Sequence, residues 1–302
     1  MSDPDKTSHK RIRHLKKRSA GDIVFDVFLY TFLAVFVIVT LFPILRTLLL
    51  SFSDPGDANK GHLIFLPRKW SLINFIEIFK RESFQNGLKV SLGRTILGTI
   101  SSLAVNALLA FILSRRKFLF KSVFSLFWVI TIYVQGGIVP VYELYHKLRL
   151  TSSFWVYIIP GMVNALYVLV LRTYMKSIPE SLEESAQLEG TGYFRIFINI
   201  VSPLCKPVYA TIGLFIAVNH WNSWFDAMLY NRMDYKHTTL QYEIVKYLNQ
   251  VMASPGTIST SRMSVVTLRA ALITVTMLPF IVIYPFFQRF FIAGLKVGGI
   301  KD

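Results

Sequence analysis

The sequence predicts an all-α, polytopic membrane protein with six transmembrane helices, and three observations carry that expectation. First, 53% of the 302 residues are hydrophobic, and they gather in long charge-free runs rather than in the short faces of a soluble domain. Second, six of these runs approach or reach the ~20 residues needed to cross ~30 Å of hydrocarbon. Third, the net charge of +16 sits beside the runs, where Lys and Arg set membrane orientation. It is not collected into a basic module interleaved with base-stacking aromatics, so no nucleic-acid partner is expected.

From the N-terminus, residues 1–22 read as a basic cytoplasmic tail carrying Lys6, Lys10, Arg11, Arg13, Lys16, Lys17 and Arg18. The apolar run after it is too long for a signal-peptide core, and no small-residue cleavage site follows. Residues 23–293 read as the transmembrane domain. Its expected spans are Val27 to Leu45, Thr95 to Ser114, Ser122 to Tyr142, Leu150 to Leu171, Pro207 to Phe225 and Ala270 to Gln288. Each is expected to be helical, because a helix satisfies its own backbone polar groups in lipid and the alternation of a barrel strand is absent. Residues 294–302 form a C-terminal tail, which an even number of spans returns to the cytoplasm.

The loop charges follow that orientation. The tight loop after the second span holds Arg115, Arg116, Lys117 and Lys121 and faces inward, whereas the loop after the third holds Lys147 and Arg149 and faces outward. Two longer outer loops are expected at about 51–90 and 231–269. In the first, Asp54-Pro55-Gly56 signals a turn and Trp70 to Phe79 is an amphipathic stretch. In the second, Leu240 to Val251 has helical apolar spacing, broken by Ala253-Ser254-Pro255-Gly256. Gln135-Gly136-Gly137, with Pro140, is expected to bend or break the third span. Gly93, Gly98, Ser101 and Ser102 suit close helix contact, and Arg94 is placed to snorkel outward.

The most informative segment is the inward loop 177–207. Ser177 with Glu180, and Ser181 with Glu184, have capping-box spacing; Pro179 fits an early helical position, and Gly190 suits a left-handed helix terminus. Tyr193 to Val201 is then an amphipathic apolar helix, and Pro203 and Pro207 mark the start of the next span. The result is a short acidic helix, a glycine bend and a second helix returning to the bilayer. A protruding elbow of this kind can dock into a groove on a soluble partner.

This segment resembles the cytoplasmic coupling loop of ABC importer permeases, whose pattern is Glu-Ala-Ala, three residues, Gly, nine residues, Ile, one residue, Leu-Pro. Here the positions are Glu184-Ser185-Ala186, Gly190, Ile200 and Pro203, with Ser185 in place of Ala and Ser202 in place of Leu. Further points of resemblance are His220-Trp221-Asn222-Ser223-Trp224-Phe225, Thr239-Leu240-Gln241, and Gln288-Arg289-Phe290-Phe291 with Gly294-Leu295. They are similar to the binding-protein-dependent carbohydrate permeases, especially those serving complex oligosaccharides.

The resemblance implies a type I importer permease fold. It also implies a second homologous permease subunit, two ATPase subunits that bind ATP and Mg, an extracellular solute-binding protein and a sugar substrate, with no cofactor on this chain. It assigns ATPase coupling to Glu183, Glu184, Ser185, Ala186, Glu189, Gly190, Ile200 and Pro203.

Polar residues inside spans are costly and face a cavity or another helix. Asn106, Gln135, Asn164, Asn219, Trp221, Asn222 and Trp224 are therefore candidates for the solute path. Trp221 and Trp224 either stack on a sugar ring or belong to an interfacial aromatic belt, while Asn106 and Asn164 either line the path or join helices.

No catalytic pattern is present: the six His are scattered without His-Glu-x-x-His, and there is no Gly-x-Ser-x-Gly elbow. The stretch Gly87 to Thr95 has the wrong spacing for a phosphate loop. Cys205, the single cysteine, permits no intrachain disulfide. The competing expectations are an ion-coupled secondary transporter, which calls for ionisable residues within the spans, and an ABC permease for a non-sugar solute.

Overall fold

Charge-free runs of this length fold into helices that bury small and polar residues against one another and leave large apolar side chains outside. A computed structural model describes residues 20–59, 66–115, 118–134, 136–253 and 264–298. The N-terminal basic cluster, Lys60, Arg116, Lys117, Gln135 and Ser254-Pro255-Gly256 lie outside the described residues. The chain is helical, and a single antiparallel bridge, Ser53 to Trp70, is the sole strand-like pairing among the described residues.

Helix α1 (Ala20–Ser51) is followed by α2 (Pro55–Asn59), α3 (Ile73–Phe79) and the long α4 (Glu82–Ser114). Asp54 does not make a free turn: its Oδ1 accepts from the N–H groups of Gly56 and Asp57, so it caps α2 with Pro55 at the first helical position. Helix α3 falls within the amphipathic stretch expected there. Its buried Asn74 donates to the carbonyls of Ser51 and Ser53 and accepts from Thr267, pinning the segment between α1 and α4 to the ends of two long helices. Helix α4 starts well before the charge-free window Thr95–Ser114, because the charge at Arg94 does not end it.

The third expected span is two helices, α5 (Lys121–Tyr133) and α6 (Ile138–Lys147), meeting at 113°. Gly137 has φ +80°, a left-handed conformation that a side chain would strain, and Pro140 sits in the first turn of α6. The break expected around the glycine pair is therefore there, and Ser122 to Tyr142 is not one straight helix.

The fourth expected span, Leu150 to Leu171, is corrected more strongly. Residues 154–157 form a 3₁₀ turn, residues 158–164 are non-helical, and α7 (Ala165–Lys176) is only 12 residues long, about 18 Å. Pro160-Gly161 interrupts the helix, a signal hidden within the absence of charge.

Next come α8 (Ser181–Leu188), α9 (Tyr193–Ile196), a π-helical turn over Phe197–Val201, and α10 (Ser202–Leu204). The chain then bends by 83° into α11 (Lys206–Asn222), which matches the fifth expected span. Helix α12 (Phe225–Tyr230), α13 (Leu240–Ala253) and α14 (Val265–Gly298) complete the chain. Helix α14 continues into the expected tail and carries Pro279 and Pro285.

Among the described residues three helices, α1, α4 and α14, are long and apolar enough to cross a membrane, or up to five if each bent pair forms one span. The expected spans thus comprise straight, bent and unwound segments. Helix α4 is the hub, packing on α7, α11 and α13, while α1 lies along α14. One core cluster, containing Phe111, Met175, Ile196, Val201 and Ile216, knits α4, α7, α9 and α11. A second, containing Ile78, Phe84, Trp221, Ile244 and Leu272, joins α3, α4, α11, α13 and α14. By contrast α5 and α6 bury no residue, and Ser51 is the one buried residue of α1. Their apolar side chains are largely exposed in this single chain.

Candidate functional site

Two regions combine polar chemistry with a defined shape. The first is the elbow around α8. Its glycine bend is as expected: Gly190 has φ +78° and ends α8 in a Schellman motif, with Thr191 N–H donating to Ala186 O (2.9 Å) and Gly190 N–H to Gln187 O (3.0 Å). A Cβ at Gly190 would meet nothing within 4 Å, so the backbone angle alone demands glycine. The capping boxes do not form. Glu180 holds the N-cap position of α8 without a side-chain cap, Ser185 Oγ donates to Ser181 O, and Ser177 Oγ folds back onto Tyr174 O at the end of α7.

The helix divides its residues between two faces. Ala186 is buried in the core and Glu183 is 6% exposed, whereas Glu184, Ser185, Leu188 and Glu189 face outward, with Leu188 90% exposed. Glu183 forms an ion pair with Arg115 at the end of α4. Ile200 packs on the core from the π-helical turn, and Pro203 lies exposed in α10. The exposed surface thus alternates carboxylates with the apolar side chains of Leu182, Leu188 and Phe194.

The second region is a cavity of about 350 Å³ within the helices, whose lining includes Asn164, Tyr167, Asn219, His220, Ser223 and Asp226. Arg94 lies in its wall at 2% exposure and does not snorkel. It is held by Asp226 through two contacts, Nη1 to Oδ1 at 3.1 Å and Nη2 to Oδ2 at 2.5 Å. Nη1 also donates to Ser223 O, and the guanidinium lies 4.3 Å from the Tyr157 ring centre. A bidentate, ring-stacked pair offsets part of the large cost of a charge at this depth. Charge-free windows missed it, because Arg94 and Asp226 each lie just outside one. The signal that could have found it is their opposite sign at the same expected outer end of two spans.

The expected path residues separate. Asn164 and Asn219 line this cavity. Asn219, Asn222 and Trp224 line an adjoining open recess of about 700 Å³ with Phe215 and Phe225. Trp221 belongs to neither. It is 3% exposed and its Nε1–H donates to Thr276 O (3.1 Å), joining α11 to α14.

Asn106 is fully buried. It donates to Ser102 and to Met162 O (3.0 Å) and accepts from Asn164 N–H (2.9 Å). It supplies the partners that the unwound stretch before α7 lacks, which is what permits non-helical backbone at membrane depth. Gly98 completes the fit, since a Cβ there would come within 2.4 Å of His220 Nε2. Outside the cavity, Thr239 caps α13, and Leu240 N–H donates to Ser91 Oγ against Gly87.

No family model matches the chain. Individual relatives do. The polygalacturonan/rhamnogalacturonan transport system permease protein YtcP of Bacillus subtilis is 31% identical over 288 residues, covering 92% of this chain and 98% of the relative. The arabinooligosaccharides transport system permease protein AraQ of Halalkalibacterium halodurans is 27% identical over 274 residues, covering 87% and 92%. Among solved structures, a chain of a bacterial ABC transporter involved in the import of the acidic polysaccharide alginate superposes with a TM-score of 0.83 at 26% identity, covering 90% of this chain and 98% of that one. With a curated relative above 30% identity along nearly its whole length, and the same fold in a solved importer, the chain belongs to the carbohydrate permease family of ABC transporters.

Proposed function

We propose that this chain is one half of the membrane pathway of an ATP-driven importer for an oligosaccharide delivered by an extracellular binding protein. In this reading a second permease subunit covers the exposed apolar faces of α1, α5 and α6. Two ATPase subunits, which bind ATP and Mg, seat the elbow. In this reading both termini and the elbow lie in the cytoplasm, which the Lys and Arg of the N-terminal tail support. The observation that carries the reading is the exposed face of α8, where Leu182, Glu184 and Leu188 stand out on a helix fixed by the left-handed Gly190.

In the proposed cycle, ATP draws the two ATPase subunits together. The elbow moves with them, and the permease pair shifts between inward- and outward-facing arrangements because each binds the partners differently. The relatives named for polygalacturonan and for arabinooligosaccharides support a glycan as the solute. The cavity suits one: Asn164, Asn219 and Ser223 offer hydrogen bonds and Tyr167 an aromatic face.

An ion-coupled carrier would use a charge inside the membrane that gains and loses its partner. Arg94 and Asp226 are such charges by position, but their bidentate pairing leaves the site without net charge. The test is uptake of labelled oligosaccharide into vesicles holding the assembled subunits, with ATP or with an ion gradient alone. ATP-dependent uptake that is lost in Glu184→Lys and Gly190→Pro, with both variants still inserted, is the expected result. Uptake driven by the gradient without an ATPase overturns the proposal.

A further inference from the structure

The two neighbouring carboxylates of α8 have opposite environments. Glu184 is exposed, while Glu183 is buried against Arg115. Arg115 is the C-cap residue of α4 and gathers four elements at one point. Its Nε and Nη2 donate to Ser114 Oγ (3.0 and 2.8 Å) in α4, and Nη2 reaches Met175 O (3.5 Å) in α7. Its guanidinium lies 4.7 Å from the Phe111 ring centre, and Phe111 packs at 5.1 Å on Phe197 of the π-helical turn. Its ion pair to Glu183 adds α8. The side chains of Arg115 and Glu183 are 13% and 7% exposed, so water screens the pair little.

We infer that Glu183 and Arg115 form the joint that carries motion of the elbow into α4, making Glu183 a positioning residue and not a docking residue. This inference rests on the elbow seating in an ATPase subunit. Without a joint, α8 could tilt on its short connections and leave the cavity-lining helices behind. Apolar packing of Ala186 resists separation but not sliding. The buried ion pair of Arg115 Nη1 with Glu183 Oε1, on a guanidinium whose Nε and Nη2 are held by Ser114 and Met175, resists sliding as well as separation. Helix α4 also carries Arg94 in the cavity wall, so one continuous helix connects the elbow with the solute path.

The experiment uses the complete transporter in proteoliposomes and reads oligosaccharide imported per ATP hydrolysed, with co-purification of the ATPase as the second readout. Glu183→Gln and Arg115→Gln are each expected to lower the imported-to-hydrolysed ratio about tenfold while the ATPase still co-purifies. The exchanged pair Glu183→Arg with Arg115→Glu is expected to recover most of that ratio. Arg115→Lys, which keeps the charge but not the fork, serves as the milder variant and is expected to lose about threefold.

An unchanged ratio in Arg115→Lys and in Glu183→Gln overturns the joint, as does loss of ATPase co-purification in Glu183→Gln, which would make Glu183 a docking residue. If Glu184→Lys leaves ATPase assembly and uptake intact, the elbow reading itself fails, a result separate from either Glu183 outcome.

Discussion

The exposed face of the elbow and the cavity around Arg94 use charge in opposite ways. At the elbow a short helix exposes Glu184 and Glu189 to water, where carboxylates cost nothing to hold, and fixes their direction with backbone geometry at Gly190. In the cavity Arg94 is withdrawn from water and tolerated because Asp226, Ser223 O and the Tyr157 ring surround it. One region is built from residues a few positions apart. The other depends on side chains more than a hundred residues apart. The exposed face of the elbow is therefore stable to loss of a side chain and sensitive to backbone angle, and the cavity is the reverse.

The largest expected effect tests that contrast directly. Asp226→Ala strands a buried guanidinium and is expected to cost about 3–5 kcal/mol, read as a lowered melting transition in detergent. Glu184→Ala is expected to change the same transition by about 0.5 kcal/mol or less. Equal losses would erase the distinction.

The two tryptophans sharpen it within one segment. Trp221→Ala opens a void among α4, α11 and α14 and is expected to cost about 3 kcal/mol. Trp224→Ala, on the open recess, is expected to raise the KM for uptake severalfold while stability stays within about 1 kcal/mol. A smaller effect belongs to Gly190→Ala, which holds a methyl group in the left-handed region at a cost of about 1–2 kcal/mol despite free space around it.

The smallest is an expected null result. Cys205 is fully buried, and burial pushes its thiol up to about 11, so a maleimide at neutral pH is expected to label it only after denaturation. Rapid labelling of the folded chain would show that the core beneath the elbow opens.

Legibility in the sequence follows the same division. The glycine bend, the helix around Leu240 and the break at Gly136-Gly137 were readable because each depends on neighbouring residues. The capping boxes were over-read: their spacing is correct, but α8 begins at Ser181, so Ser181 is inside the helix instead of capping it. Arg94 was misread as snorkelling because a single charge at a span end has that default, and its partner lies on a different helix. The fourth span was overestimated because freedom from charge measures compatibility with lipid, not helicity. Pro160-Gly161 breaks the helix, and Asn106 makes that break tolerable. Trp221 and Trp224 look alike in sequence, and only the turn at Ser223 sends one inward and the other to the recess.

The latch at Asn106 also bears on how such a chain diversifies. A single amide, anchored on a neighbouring helix, supplies the bonds that hold Met162 and Asn164. The side chains of Pro160 and Val163 border the cavity without being responsible for holding that segment in place. Substitutions there can reshape the wall one residue at a time while the frame stands, so the cavity can change its shape and polarity without the scaffold first being rebuilt.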